Sequence, residues 1–299
     1  MDLVEQFSNK YNLSCGNIEE LFEQNLLGLG VELDKIQKRN YIIFDTNFKQ
    51  LSKVYDAGMM TLLDLAMCFA EQKLYDEGHK QNKPLEFLEP EKFPDKFRYS
   101  MQSFLFTLAD TLIAIRNLVK SGFNHQARII TRYFIETSEL ILALMIDTEL
   151  YELYMTDDEC EYTKWKTYFT PEKIRKRISC YENEVDPSMN FYNIRKKNYS
   201  WLSLAAHNDF LTLHLACYGR KIEQTDFFQF TGGGAITQSL EDTLDIATDT
   251  TLIFLSYITK ILCEKYKLRF HYNNDKTIPY LINYEIYRRL YFEYKKINL

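Results

Sequence analysis

The sequence predicts an all-α protein, a helical bundle with a central antiparallel helix hairpin and irregular connections. Apolar residues recur at helical spacing over most of the chain. The 10 Gly and 6 Pro among 299 residues are too few for the tight turns that a β-fold consumes. Only Phe227 to Thr231 reads as a short strand, and nothing in the sequence is evident as its partner.

Asn17 to Leu27 reads as a short amphipathic helix closed by the Gly28-Leu29-Gly30 turn, because glycine takes the left-handed conformation readily. Asn47 to Tyr75 is a longer helix, with Leu51, Val54, Tyr55, Met59, Leu62 and Leu65 at helical spacing. Pro84, Pro90 and Pro94 then fall in a segment rich in Lys and Glu. Proline lacks a backbone donor and restricts its predecessor, so no long helix crosses there. The chain therefore divides into an N-terminal helical region over 1–78, a Pro-containing connector over 79–98 and a main helical bundle over 99–299.

Within the bundle, Met101, Leu105, Leu108, Leu112, Ile115 and Val119 form an apolar stripe, and Gly122 stands where a C-terminal cap belongs. Asn124 is placed to cap the next helix, which is apolar around most of its circumference as far as Asp147. With only Ser121 to Asn124 between them, the two helices are expected to pack antiparallel. Thr170-Pro171-Glu172 marks a helix start, with a hydroxyl, a first-turn proline and an acid near the positive end. Further helices are expected from Asn198 to Tyr218, from a Ser239/Asp242 capping box to Lys267, and from Tyr280 to Tyr294.

The formal net charge of −6 excludes a molecule that attracts polyanions over its whole surface, so nucleic-acid contact would need a local basic patch. The six cysteines lie far apart with no C-x-x-C pair, against a zinc ribbon or disulfide framework. The N-terminus carries no signal-like segment. The longest apolar stretch, Ile246 to Cys263, is broken by Asp249 and Lys260 and reads as a buried helix. A cytoplasmic protein with no membrane association is the expectation.

Chemistry concentrates in three places. On the helix after Gly122, His125, Arg128, Arg132, Glu136 and Glu139 share a stripe, and Arg132 and Glu136 are close enough to pair. The stripe fits a solvated face, a structural ion pair between helices, or a charged pair lining a cleft. On the Asn198 to Tyr218 helix, Tyr199, Ser203, His207 and His214 lie near one another. The two histidines are about 10 Å apart along the axis at 1.5 Å rise per residue, so no helical metal site is formed. The G-x-S-x-G elbow of a hydrolase is absent.

The third place is a basic, aromatic stretch. Lys164, Lys166, Lys173, Arg175, Lys176 and Arg177 are interleaved with Tyr162, Trp165 and Tyr168, and Arg195 to Lys197 follow. Basic groups neutralise phosphates and rings stack on unpaired bases, a combination suited to single-stranded nucleic acid. The Gly232-Gly233-Gly234 run lacks the Lys-Ser or Lys-Thr of a P-loop, and no cofactor is expected.

Arg132-x-x-x-Glu136 on one helix and Tyr199-x-x-Leu202-Ser203-x-x-x-His207 on a later one resemble a bacterial all-helical family known as a domain of unknown function. More remotely, the stretch from Tyr99 to Lys267 is similar to HEPN (higher eukaryotes and prokaryotes nucleotide-binding) domains. Many of these are metal-independent ribonucleases that act as dimers in phage defence or toxin–antitoxin systems. Their nucleases place an Arg four to six residues before a His on one helix. Here Ser200, Trp201 and Leu202 occupy those positions, and the nearest upstream Arg is Arg195.

The resemblance implies RNA or nucleotide handling, with Arg132 holding phosphate, His207 as general acid or base, and Glu136 orienting one of them. Tyr199, Ser203, Arg128, Arg175, Arg177 and Trp165 would bind, no metal would be needed, and a homo-oligomer is expected. The competing expectation is a non-catalytic helical module that binds a partner protein or small ligand. It would assemble through exposed aromatic faces, such as Tyr287 and Tyr291 of the C-terminal segment.

Overall fold

The apolar stripes become the long helices of the computed structural model, which describes residues 15–70, 95–156, 161–185, 191–206, 218–220, 227–229, 234–266 and 280–297. Helix α1 spans Cys15–Asn47, α2 Lys49–Ala70, α3 Asp95–Ser121 and α4 Asn124–Ile146. Then come α5 (Thr148–Tyr154), α6 (Glu161–Lys164) running into a π-helical turn at Trp165–Phe169, α7 (Pro171–Val185) and α8 (Tyr192–Ala206). Strands β1 (Tyr218–Arg220) and β2 (Phe227–Gln229) precede α9 (Gln238–Glu264) and α10 (Tyr280–Ile297).

The all-α class is therefore the observed one. The core is built by α2, α3, α4, α9 and α10, whose facing stripes bury Leu62, Leu65, Leu105, Leu112, Phe134 and Leu255. Each such side chain contributes roughly 1.5–3 kcal/mol on full burial. Helices α3 and α4 pack along each other, and the start of α3 reaches the residues after α4. Phe97 meets Tyr151 edge-on at 4.7 Å, and the Ser100 and Tyr151 hydroxyls lie 3.3 Å apart. Helices α7 and α8 cover the other side of α4. The one described helix long and apolar enough to cross a membrane is α9, and half of that apolar window is buried inside the fold.

Gly122 closes α3 as the sequence suggests. With φ at +85°, its N–H bonds to the Val119 carbonyl and the Phe123 N–H to Leu118, the paired bonds of a Schellman motif. Gly122 also meets Gly234, itself at φ +74°, and the Ala235 amide donates to the Gly122 carbonyl at 3.1 Å. Asn40 of α1 donates from its amide to the carbonyls of Ser121 and Gly234. One member of the glycine triplet thus serves a close backbone crossing. Its companions lie outside the described residues.

Several boundaries differ from the sequence reading. Helix α1 does not stop at Gly28 but runs on through both glycines to Asn47. Asn124 is the first residue of α4 rather than a cap, because its side-chain oxygen accepts from the Ser239 hydroxyl across the bundle. That same contact removes Ser239 from the expected capping box, and the chain enters α9 at Thr237 without a side-chain cap. Helix α8 starts at Tyr192, before the expected Asn198. Tyr218 lies in β1, which is the missing partner of β2: Tyr218 pairs with Gln229 and Arg220 with Phe227, antiparallel. Of the Pro-containing connector, only residues 95–98 are described, and they open α3.

The two tyrosines expected on an exposed face of the C-terminal helix are instead engaged in the fold. Tyr287 is fully buried, its ring fills the space left by Gly58, and its hydroxyl donates to the Thr248 carbonyl at 2.9 Å. Tyr291 donates to Asp249 at 2.7 Å. Exposed large apolar residues include Leu26, Leu27, Leu29 and Val31 on the outer part of α1 and Ile282, Ile286 and Phe292 on α10.

Candidate functional site

The stripe on α4 faces α7 and α8, which decides among its three readings. Arg128 and Glu139 are buried, and Arg132 and Glu136 are partly covered. It is a polar seam between helices, not a solvated face. Arg132 donates from Nε to Glu136 at 3.0 Å and from a terminal nitrogen to the Tyr199 hydroxyl at 2.8 Å. Residues separated by 67 positions are thereby joined across α4 and α8. Ser203, one turn beyond Tyr199, spends its hydroxyl on the Tyr199 carbonyl at 2.7 Å. His207 and His214 lie outside the described residues.

The Tyr199 ring carries a second cation. The Arg175 guanidinium lies 4.2 Å from its centroid and that of Arg132 4.9 Å. Arg175 pairs with Glu139 at 3.3 Å, with both side chains almost wholly buried. Arg195 completes the seam, bonding Glu182 through both terminal nitrogens at 2.5 and 2.8 Å. Burial drives the Glu139 carboxyl up to about 7, opposed by Arg175 and Arg195. Burial is also the main cause that raises the Tyr199 hydroxyl, with Glu136 adding to it.

Two of the expected binders are buried inside the fold and a third is paired with an acid near its surface. Arg128 is buried, with its guanidinium 4.1 Å from the Trp201 ring and donating to the Trp201 carbonyl at 2.6 Å. Arg175 is buried against Glu139, and Arg177 pairs with Asp147. Basic residues on amphipathic helices reach across to neighbouring acids, so the charge run in the sequence overstates the field at the surface. Neither Arg128 nor Arg175 can meet a surface phosphate.

Trp165 has a different position. It opens the π-helical turn, is 51% exposed, and stands at a cavity of about 960 Å³. Single π turns re-aim side chains and recur at functional sites. The cavity lies between α4 and the segment from α5 to the start of α7. Tyr133, Tyr162 and Trp165 stand at its exposed rim, and Tyr154 and Phe169 pack edge-on at 5.4 Å deeper in the wall. Glu136 and Glu139 also line it, so the Arg132–Glu136–Tyr199 cluster and the cavity share a wall. A volume of this size is that of small-molecule sites.

Tyr133 and Tyr154 were not among the residues the sequence singled out. Tyr133 is the neighbour of Arg132, and the faces of α4 on either side of the polar stripe carry no distinguishing spacing. Among the described residues no group of three or more His, Cys, Asp or Glu is arranged to hold a metal ion. No family model, curated protein or solved structure matches this chain.

Proposed function

We propose that the protein binds RNA or a nucleotide, taking one unstacked base into the aromatic cavity beside Glu136. The observation that carries this reading is the placement of Trp165 and Tyr133 at the rim of a largely apolar cavity that Glu136 also lines. Rings of this kind stack on a base regardless of its identity, and each stacked base is worth about 1–3 kcal/mol. Exposed Lys166 follows Trp165 on the same turn, outside the cavity, where a phosphate attached to the base would emerge. Titration of the full chain with mononucleotides and short single-stranded RNA, followed by calorimetry, tests the reading. Binding is expected and is weakened about 5- to 100-fold by Trp165→Ala. Binding indifferent to Trp165, or none at all, overturns it.

The finer form of this proposal is a metal-independent ribonuclease or effector of bacterial phage defence or toxin–antitoxin systems, in keeping with the HEPN resemblance. It assigns proton transfer to His207 and phosphate binding to Arg132. Cleavage of RNA in the presence of EDTA, lost in His207→Ala, is its expected outcome. Arg132 is already held by Glu136 and Tyr199, which favours a binding role over a freely mobile phosphate ligand.

A second reading, a non-catalytic assembly module, is favoured by Leu26, Leu27, Leu29 and Val31 on the outer part of α1. Sedimentation of the wild type and of a Leu26→Lys/Leu29→Lys variant tests it. An oligomer that the variant dissolves supports assembly through α1, and a monomeric wild type removes it.

A further inference from the structure

Resting on the nucleotide reading, we infer that the cavity is selective for guanine, with the Glu136 carboxylate accepting from the N1–H and the exocyclic amino group of the base. The selectivity follows from which hydrogen-bonding groups the cavity offers. Among the described residues, its charged lining groups are two carboxylates, Glu136 and Glu139, and one ammonium, Lys164. The Lys164 ammonium is engaged by the backbone of the cavity wall, donating to the carbonyls of Tyr154 and Thr156. Among the described lining residues the carboxylates therefore outnumber the one cation, which the backbone engages, beside neutral groups such as the Thr137 hydroxyl and the Trp165 indole. A phosphate is unwelcome there, and the group that enters must bring donors of its own.

Of the two carboxylates, Glu136 is the available one. Glu139 is buried against Arg175, whereas the Glu136 side chain is 33% exposed. It is also held in place. Arg132 grips one of its oxygens at 3.0 Å, and Tyr199 accepts from the far side of the same guanidinium at 2.8 Å. A carboxylate offers about four lone-pair sites, so accepting from Arg132 and from the Tyr199 hydroxyl leaves it able to accept again. Fixed by its neighbours, it is a preorganised acceptor rather than a floppy surface acid.

A carboxylate is best matched by two parallel N–H groups, the geometry that makes arginine forks strong. Guanine places such a pair on one edge, N1–H beside the exocyclic amino group. Adenine and cytosine set a ring acceptor next to their amino group, and uracil flanks its N3–H with carbonyls. Each of these would turn a lone pair toward Glu136. The aromatic rim supplies stacking without preference, so discrimination falls to the carboxylate.

Calorimetric titration of the full chain with GMP, IMP and AMP tests this without requiring any variant, since IMP is GMP lacking the exocyclic amino group. GMP is expected to bind about 10- to 100-fold more tightly than IMP or AMP. Glu136→Gln replaces one acceptor oxygen with a donor and is expected to bring GMP down to the level of IMP. Trp165→Ala is expected to weaken all three alike. Equal binding of GMP and IMP overturns the guanine assignment and leaves the nucleotide reading standing. Failure of every nucleotide to bind overturns both. Agmatine, a free guanidinium compound, serves as the control for the same donor pair from another source. If it binds and GMP does not, the guanine assignment falls together with the nucleotide reading.

Discussion

The Arg132 guanidinium donates to the Tyr199 hydroxyl at 2.8 Å, joining α4 to α8 through two residues far apart in sequence. Arg132 uses its Nε on Glu136 at the same time, so one side chain sets the position of both partners. Tyr199→Phe keeps the ring under the two guanidiniums and removes only the hydroxyl. A loss of about 1–2 kcal/mol of unfolding free energy is expected, read from denaturant midpoints. Arg132→Met removes the charge as well. It should cost more than Tyr199→Phe and should weaken ligand binding by releasing Glu136.

The buried pair of Arg195 and Glu182 gives a sharper prediction. Glu182 has no exposed side-chain surface, so Arg195→Met leaves its carboxylate in the interior without a counter-ion. A loss of about 3–5 kcal/mol is expected. The double variant Arg195→Met/Glu182→Met should recover most of it, and thermal unfolding of the three proteins distinguishes these outcomes.

Glu139 links stability to pH. Its carboxyl lies near 7 in the folded protein, raised first by burial and lowered by Arg175 and Arg195. In the unfolded chain it titrates near the ordinary value of about 4.3. The folded state therefore holds the proton more tightly. The stability this contributes is complete below the unfolded value and is lost as pH rises through about 7. Glu139→Gln imitates the protonated form at every pH. Relative to wild type, it should gain on the order of 3 kcal/mol between pH 4 and pH 8, measured by urea unfolding across that range.

Gly122→Ala should be among the most damaging small substitutions. A Cβ there would lie 2.6 Å from the Ala235 amide nitrogen and 2.8 Å from the Asn40 side chain, on a residue at φ +85°. Steric overlap with backbone and a left-handed conformation act together, at a cost of about 2–4 kcal/mol. The melting temperature of the variant checks this. Gly28→Ala is its control: open space surrounds Gly28 within its helix, so alanine should leave the core undisturbed.

The regular parts of the fold were legible because they depend on local spacing. The stripe from Met101 to Val119 and the Gly122 cap are short-range signals, and both are found in α3 and its Schellman end. Boundaries failed where a distant contact won. Asn124 and Ser239 both have the chemistry of caps, yet each bonds to the other across 115 residues. For the candidate site, the Arg132–Glu136 pair was visible as an i, i+4 spacing and its meeting with Tyr199 was suggested only by resemblance. The depth of Arg128 and Arg175 was not visible, because a basic residue in a charge run looks the same whether its acid partner sits across an interface or in solvent. The cavity was hidden for a related reason, since it is formed between four separate segments.

The fit of Tyr287 into the notch at Gly58 has a consequence for how the chain is made. Helices α2 and α10 pack against one another, although more than two hundred residues separate that ring from its glycine. A ribosome delivers Gly58 long before Tyr287, so the nascent chain carries an unfilled groove on α2 while the residues between them are made. Closure of the core at this notch waits for α10 to emerge, and until then that groove is a natural place for a chaperone to hold.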